Sequence, residues 1–421
     1  MIFTSFNDTY FGGETPLTPL QIYNETKYGS LNNLDYRNDI GTFSNQTHSA
    51  SVNTLAIDQI YHRFLLSGSS DSTIKLWDLE SPQTIRQDGD VQLKYKPTHT
   101  FPRKSVHNFG ITKLNWWPDN GMFLSSSYDF KLNLYDANTM ELAHSFKLGS
   151  RIVDFDIDPS GNNSTVICCL DGGVGGVKVL DLRTLSDTQN LGGGGLSMGG
   201  VGYMSSCCYS PRDSNLCIAG GVDGSCYAWD IRSSKKHLFE LDMNMTASYM
   251  NTEQNRPNKK KKLMRSKAHN GSINSMLFTA DGTTLITLGN DEKLRTWDMC
   301  TYSKPVNRSI NFGPLIRNKA KQRIDMCLSP YLETEISFLW VPSDSDEILV
   351  YRLEDGSLVS RLSRAQSNKF GTRSYSIVST ANNQVRYYSG CKDGNICTWG
   401  YDSKLNEQHG PIAFDNGVDI D

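Results

Sequence analysis

YAWDIR, residues 227–232, is one copy of a pattern that recurs along this chain, and the recurrence constrains the fold more than any single motif does. Each copy joins a strand of small residues, a turn containing Asp, an alternating apolar strand, and an aromatic residue followed by Asp. The clear copies are SGSSDSTIKLWDLE from Ser67, SSSYDFKLNLYDAN from Ser125, AGGVDGSCYAWDIR from Ala219, TLGNDEKLRTWDMC from Thr287 and SGCKDGNICTWGYD from Ser389. Two weaker copies, LDGGVGGVKVLDLR from Leu170 and SDSDEILVYRLEDG from Ser343, bring the set to seven.

Aligned on the aromatic position, the copies fall at Trp77, Tyr135, Leu180, Trp229, Trp297, Tyr351 and Trp399, with steps of 58, 45, 49, 68, 54 and 48 residues. A period in the forties with occasional insertions predicts an all-β fold, a seven-bladed WD-repeat β-propeller. Apolar and polar residues alternate at a spacing of two, as in Ile74 and Leu76 against Lys75, so each unit reads as a four-stranded antiparallel blade. The propeller is expected over residues 40–402, after an arm at 1–39 and before an acidic tail at 403–421. A closed ring leaves no free sheet edge, so Ile40 to Phe43 is expected to complete the last blade. The arm carries TPLTPLQIYNE, which reads as a short helix after Pro19 or as an irregular segment.

Four residues recur at fixed offsets in the best copies. They are His48, Ser67, Asp71 and Trp77 in the first blade, His107, Ser125, Asp129 and Tyr135 in the second, and His269, Thr287, Asp291 and Trp297 in the fifth. A buried His–Asp pair resembles catalytic machinery, but repetition around a ring argues for structure: the carboxylate fixes a turn and the imidazole satisfies a hydroxyl. No GxSxG, HExxH or kinase-type set is present, so no catalytic residue, metal or cofactor is expected. An enzyme on this scaffold would have to place its acids and bases in the central channel.

Lys plus Arg total 42 against 45 Asp plus Glu, and the net charge of −3 supplies no whole-chain attraction for nucleic acid. No sequence-specific nucleic-acid binding is expected. The start, MIFTSFNDTY, lacks the basic and apolar regions of a signal peptide, and no run of apolar residues reaches membrane length, so an intracellular protein without a membrane partner is expected. The ten cysteines show no CxxC spacing and read as buried reduced thiols acting as small hydrophobes.

Glycine-rich GGVGG and GGGGLSMGG are followed by strand-like sequence rather than by GKS or a helix, so they read as loops and not as phosphate cradles. The insert from Ser233 to Lys267 contains RPNKKKKLMRSK. Lys259, Lys260, Lys261 and Lys262 form a candidate nuclear import signal, against the plainer reading of a solvated charge run.

The blocks NGMFLSSSYDFKLNLYDANTM, CYSPRDSNLCIAGGVDGSCYAWDIR and KAHNGSINSMLFTADGTTLITLGNDEKLRTWD are similar to the Cockayne syndrome protein A family. That resemblance covers most of the chain, from about Asn53 to Trp399. It implies a non-catalytic substrate receptor of a cullin-4 type ubiquitin ligase, nuclear, acting in transcription-coupled nucleotide excision repair at stalled RNA polymerase II. It also implies partners: the large propeller adaptor of the damage-binding protein family, RNA polymerase II, and a Cockayne syndrome protein B type repair ATPase. Receptors of this kind dock through a WDxR motif and a helical N-terminal segment. Trp229, Asp230 and Arg232 match that motif, and Asp181 with Arg183 matches a reduced form one blade earlier. The sixth blade lacks Trp-Asp, the third has Leu180 at the aromatic position, and the arm matches the family only around GGETPL.

Strand alternation puts Trp229 and Ile231 on one side and Asp230 and Arg232 on the other, which carries the guanidinium to the blade rim. The alternatives are a WD-repeat scaffold of a chromatin or RNA-processing complex without ligase activity, and an arginine that merely pairs with Asp230.

Overall fold

The computed structural model describes residues 34–36, 42–43, 47–87, 90–105, 107–161, 163–172, 176–191, 203–233, 236–247, 267–300, 305–320, 322–330, 337–363, 373–380 and 386–401. Seven four-stranded antiparallel sheets follow one another in chain order, one for each copy of the repeat. Their innermost strands are Val52–Ile57, Ile111–Trp116, Arg151–Ile157, Met204–Tyr209, Ile273–Phe278, Cys327–Leu328 and Ser374–Thr380. The third strands carry the aromatic residue near their ends: Ile74–Asp78, Lys131–Asp136, Val177–Asp181, Cys226–Asp230, Leu294–Asp298, Glu347–Arg352 and Ile396–Tyr401.

In an up-and-down sheet the first and third strands run the same way, so both end on one face of the ring. We call that face lower, and the face where they begin upper. The side chains that alternate out of each blade meet those of the next blade, forming one apolar cluster at each seam. Trp77, Tyr135, Leu180, Trp229, Trp297, Tyr351 and Trp399 all lie inside these clusters. Leu180 therefore substitutes for the aromatic by filling the same apolar layer with less volume.

Ring closure differs from the sequence expectation. The strand that completes the seventh blade is Leu34–Tyr36, paired antiparallel with the last strand as Leu34 with Tyr401 and Tyr36 with Trp399. Thr42–Phe43 instead pairs in parallel with Asp90–Tyr95, which forms a three-stranded sheet with Gln83–Gln87. Aromatic packing decides this placement: the Phe43 ring lies 5.0 Å from Trp77, 5.0 Å from Tyr95 and 5.9 Å from Tyr388. The long step between the first two aromatic positions holds the hairpin that makes this contact possible. Similarly, the stretch from Ser233 supplies the outer strand of the fourth blade, Phe239–Glu240, before the basic run begins.

Two turns couple neighbouring blades through glycine. Gly224 and Gly394 have φ of +86° and +83°, and a Cβ on either would collide with the carbonyl oxygen of His269 or His48 in the next blade. That close approach lets the glycine carbonyls accept the His269 and His48 backbone N–H at 3.0 and 2.9 Å. The Asp-Gly turns of the repeat thus bind one blade to the next.

Candidate docking face and channel

The recurring polar residues meet on the upper face. His269 reaches Thr287 Oγ1 through Nε2 at 2.8 Å and Asp291 through Nδ1 at 2.9 Å, while Trp297 Nε1 donates to the same Thr287 hydroxyl at 3.0 Å. In the second blade His107 lies 2.7 Å from Ser125 Oγ and 3.0 Å from Asp129, and Ser125 is 3.3 Å from the Tyr135 hydroxyl. The first blade varies the theme: His48 Nε2 is 2.7 Å from Ser67 Oγ, Nδ1 is 2.7 Å from Thr73, and Asp71 stands off at 3.8 Å. Trp77 donates to Ser67 at 2.9 Å.

Burial lowers the basicity of His48 and His269 below the ordinary histidine value. Burial also pushes the Asp71, Asp129 and Asp291 carboxyls upward. The neighbouring His48 with the Thr73 hydroxyl and N–H at Asp71, and hydrogen bonds from the histidine and the backbone at Asp129 and Asp291, outweigh that push and hold all three below the usual carboxylate range. Among the described residues, the side-chain polar atoms of these three histidine, hydroxyl and carboxylate sets each face another protein group.

A second polar network spans the channel, and local sequence carries no sign of it. Asp154 Oδ1, on the third blade, meets Lys113 Nζ of the second blade at 3.0 Å and Arg323 Nε of the sixth at 2.8 Å. Its other oxygen accepts the Cys207 N–H of the fourth blade at 3.0 Å. Arg323 also pairs with Asp325, and half-buried Asp156 accepts the Tyr209 N–H at 2.8 Å. These residues are far apart in sequence, and only the ring brings them together. On the lower side lies a cavity of about 500 Å³, walled by Leu55, Ile57, Leu277, Phe278 and Met326 and reaching Lys113. Among the described residues no three His, Cys, Asp or Glu side chains converge to hold a metal ion.

The lower rim explains the Asp of the repeat. Asp78, Asp136, Asp181, Asp230 and Asp298 each accept, through Oδ1, the backbone N–H two residues onward at 2.7 to 3.0 Å. The carboxylate closes the turn into the fourth strand, as an Asx turn does. Trp229 is fully buried and Ile231 is buried, whereas the Arg232 side chain is 68% exposed. Arg232 pairs with Asp230 in a fork, Nε to Oδ1 at 2.9 Å and Nη2 to Oδ2 at 2.6 Å. That guanidinium holds the Asp230 carboxyl below its ordinary range.

Arg183 is exposed, and among the described residues its guanidinium makes no ion pair. Gln189 of the third blade donates to the Ile231 carbonyl, so the two arginine-bearing rims are adjacent. Arg63 makes the same fork with Asp78 on the first blade, Nε at 3.0 Å and Nη2 at 2.7 Å, a rim cation that the WDxR pattern does not find because it precedes the second strand. Lys259 to Lys262 and the TPLTPLQIYNE segment of the arm lie outside the described residues, as do most of the glycine-rich stretches.

Comparison with known proteins agrees with this architecture. The WD domain, G-beta repeat, matches residues 38–78, 95–136 and 260–298. The chain is 26% identical over 283 residues to Radiation-sensitive protein 28 of Saccharomyces cerevisiae, covering 63% of this chain and 53% of that protein. It therefore spans about half the length of the yeast relative. It is 24% identical over 333 residues to WD repeat-containing protein ATCSA-1 of Arabidopsis thaliana, covering 65% of this chain and 72% of that protein. Guanine nucleotide-binding protein subunit beta of Oryza sativa subsp. japonica is 24% identical over 279 residues, which cover 58% of this chain.

Proposed function

We propose that this WD-repeat propeller, similar to the Cockayne syndrome protein A family, is the substrate-recognition subunit of a cullin-RING ubiquitin ligase. In this reading it acts in the nucleus, in transcription-coupled nucleotide excision repair at stalled RNA polymerase II. It performs no chemistry itself. Its lower face docks on a propeller adaptor of the damage-binding protein type, and its remaining surface meets the polymerase and a Cockayne syndrome protein B type ATPase. The name of the yeast relative records radiation sensitivity, the phenotype expected when a repair factor is lost.

The observation that carries the docking assignment is that Arg183 and Arg232 project from adjacent blades of one face. Leu34 lies beside Tyr401, the end of a third strand, so the closing strand Leu34–Tyr36 begins on that same face. The fork with Asp230 occupies Nε and Nη2 and leaves Nη1 outside the pair, a donor suited to a partner carboxylate or carbonyl.

The test is affinity purification of wild-type protein and of the double variant Arg183→Glu, Arg232→Glu. Wild type brings down the adaptor and cullin, and the double variant loses them by on the order of 30-fold or more, the scale of an interface anchor. Retention of the adaptor by a folded double variant would remove the assignment. The import reading of Lys259 to Lys262 is tested separately by replacing all four with Gln: the protein then stays cytoplasmic, and an unchanged nuclear signal rejects it.

A further inference from the structure

The seventh blade departs from the recurring network in a specific way. Its third-strand tryptophan is anchored as elsewhere, with Trp399 Nε1 donating to Ser389 Oγ at 2.8 Å. Counting back from Asp393 by the 22 residues that separate His269 from Asp291 lands on Gly371, and the sequence holds no histidine between Arg364 and Arg373. The two positions that border the histidine in other blades are cysteines here. One is Cys391, two residues past the hydroxyl position. Its counterpart Gly289 is so placed that a Cβ would strike the His269 ring. The other is Cys397, two residues before the tryptophan. Its counterparts contact the histidine directly, Asn133 at 2.9 Å from His107 Nε2 and Arg295 at 2.6 Å from His269 Nδ1.

The two sulfurs therefore converge in the space that an imidazole fills in the second and fifth blades, with Cys391 Sγ and Cys397 Sγ 3.4 Å apart. Both are reduced thiols, 2% and 1% exposed, on the adjacent central strands of the blade that closes the ring. Gly390 pairs with Ile396, and Cys391 N–H donates to the Asn395 carbonyl at 2.9 Å, so the cysteines are diagonal neighbours one step from the turn. The turn residues Lys392 and Asp393 are exposed, which leaves the pair beneath one reverse turn at the surface.

We propose that Cys391 and Cys397 are an oxidisable dithiol, a modification site at which a hydroperoxide forms a disulfide across the hairpin of the closing blade. One thiol loses its proton and attacks a peroxide oxygen. The O–O bond breaks, the departing hydroxide takes up a proton to leave as water, and a sulfenic acid remains. The second sulfur attacks the first, the S–O bond breaks, and a second water leaves with that thiol's proton. Two thiols and one hydrogen peroxide thus give one disulfide and two waters, with the peroxide as the two-electron acceptor. The sulfurs must close from contact to about 2.05 Å, a movement available through side-chain rotation and slight fraying at the turn. The new bond joins the strand that pairs with Leu34–Tyr36 to its neighbour, reinforcing the seam where the two ends of the propeller meet.

The test treats the folded full chain with hydrogen peroxide, blocks remaining thiols by alkylation and digests with trypsin. Cleavage at Lys392 separates the two cysteines, so a disulfide appears as residues 387–392 linked to 393–404, two hydrogen atoms lighter than the two peptides together. This linked species is expected to dominate over every other cysteine pair and to vanish in Cys391→Ala and in Cys397→Ser. Exposed Cys300 reports that peroxide reached the protein. Oxidised Cys300 with Cys391 and Cys397 still alkylated, linkage only in urea, or a dominant Cys169–Cys207 link would each overturn the proposal.

Discussion

Blades four and five are neighbours built from almost the same repeat, yet they satisfy their tryptophans differently. Blade five places Thr287 under the Trp297 indole and His269 behind Thr287, so packing and hydrogen bonding reinforce each other. Blade four has Ala219 where Thr287 stands, and the fully buried Trp229 Nε1 finds no hydrogen-bond partner among the described residues. Its tryptophan is held by apolar contact with Val177, Val179, Cys207 and Cys217 in the seam cluster. The same blade carries the Asp230–Arg232 fork on the exposed rim. Internal anchoring and rim chemistry are therefore separable, and a blade with a weak internal network can still present a candidate docking handle.

That contrast can be broken most severely by Trp297→Ala, which removes a fully buried indole and is expected to cost about 3 to 5 kcal/mol in denaturant unfolding. A loss below about 1 kcal/mol would show that the seam collapses around the cavity. Thr287→Val comes next: it leaves His269 and Trp297 without their shared hydroxyl and is expected to cost about 1 to 3 kcal/mol.

Acidification should act on blades one and five together. The folded His48 and His269 resist protonation, while the unfolded chain takes up protons near pH 6.5, so stability is full above that value and falls as pH drops below it. Asp71 and Asp291 are likewise depressed, and their contribution is lost below about pH 4. Constant unfolding free energy between pH 7 and 5 would contradict the buried neutral histidines.

In blade four the converse change, Ala219→Ser, offers Trp229 a hydroxyl and should stabilise by about 0.5 to 1 kcal/mol. Destabilisation would mean that the site has no room for the added oxygen. Smallest of all, Arg232→Ala should leave the thermal midpoint unchanged, because the Arg232–Asp230 pair is exposed and the Asp230 turn persists through the backbone. A marked drop would make the fork a structural element and weaken its reading as a docking handle.

Much of this was legible because repetition averages out local ambiguity. Seven aromatic positions gave the blades, and fixed offsets gave the residues of each network. Individual blades are less legible. Nothing in GGETPL or GTF says which short segment closes the ring, since Leu34–Tyr36 and Thr42–Phe43 are both brief strand-like pieces. Phe43 was drawn elsewhere by an aromatic pocket of Trp77, Tyr95 and Tyr388, the last of these hundreds of positions from the other two. The expected burial of all cysteines also failed at exposed Cys300, which follows the third strand on the rim, and at half-buried Cys327.

By itself the sequence determined the all-β architecture, the blade order, and the position of the Asp that closes the rim turn in five of the blades. Those features depend on contacts within a few tens of residues, which a period and an offset can report. Only the tertiary structure decided which strand closes the ring, the charge network across the channel, the self-pairing of Arg232, and the meeting of Cys391 with Cys397 in a histidine-shaped space. The first two depend on distances set by closing seven blades into a circle, a property of the whole chain that no local stretch such as YAWDIR encodes, and the last two on which side chains a single turn or hairpin brings together.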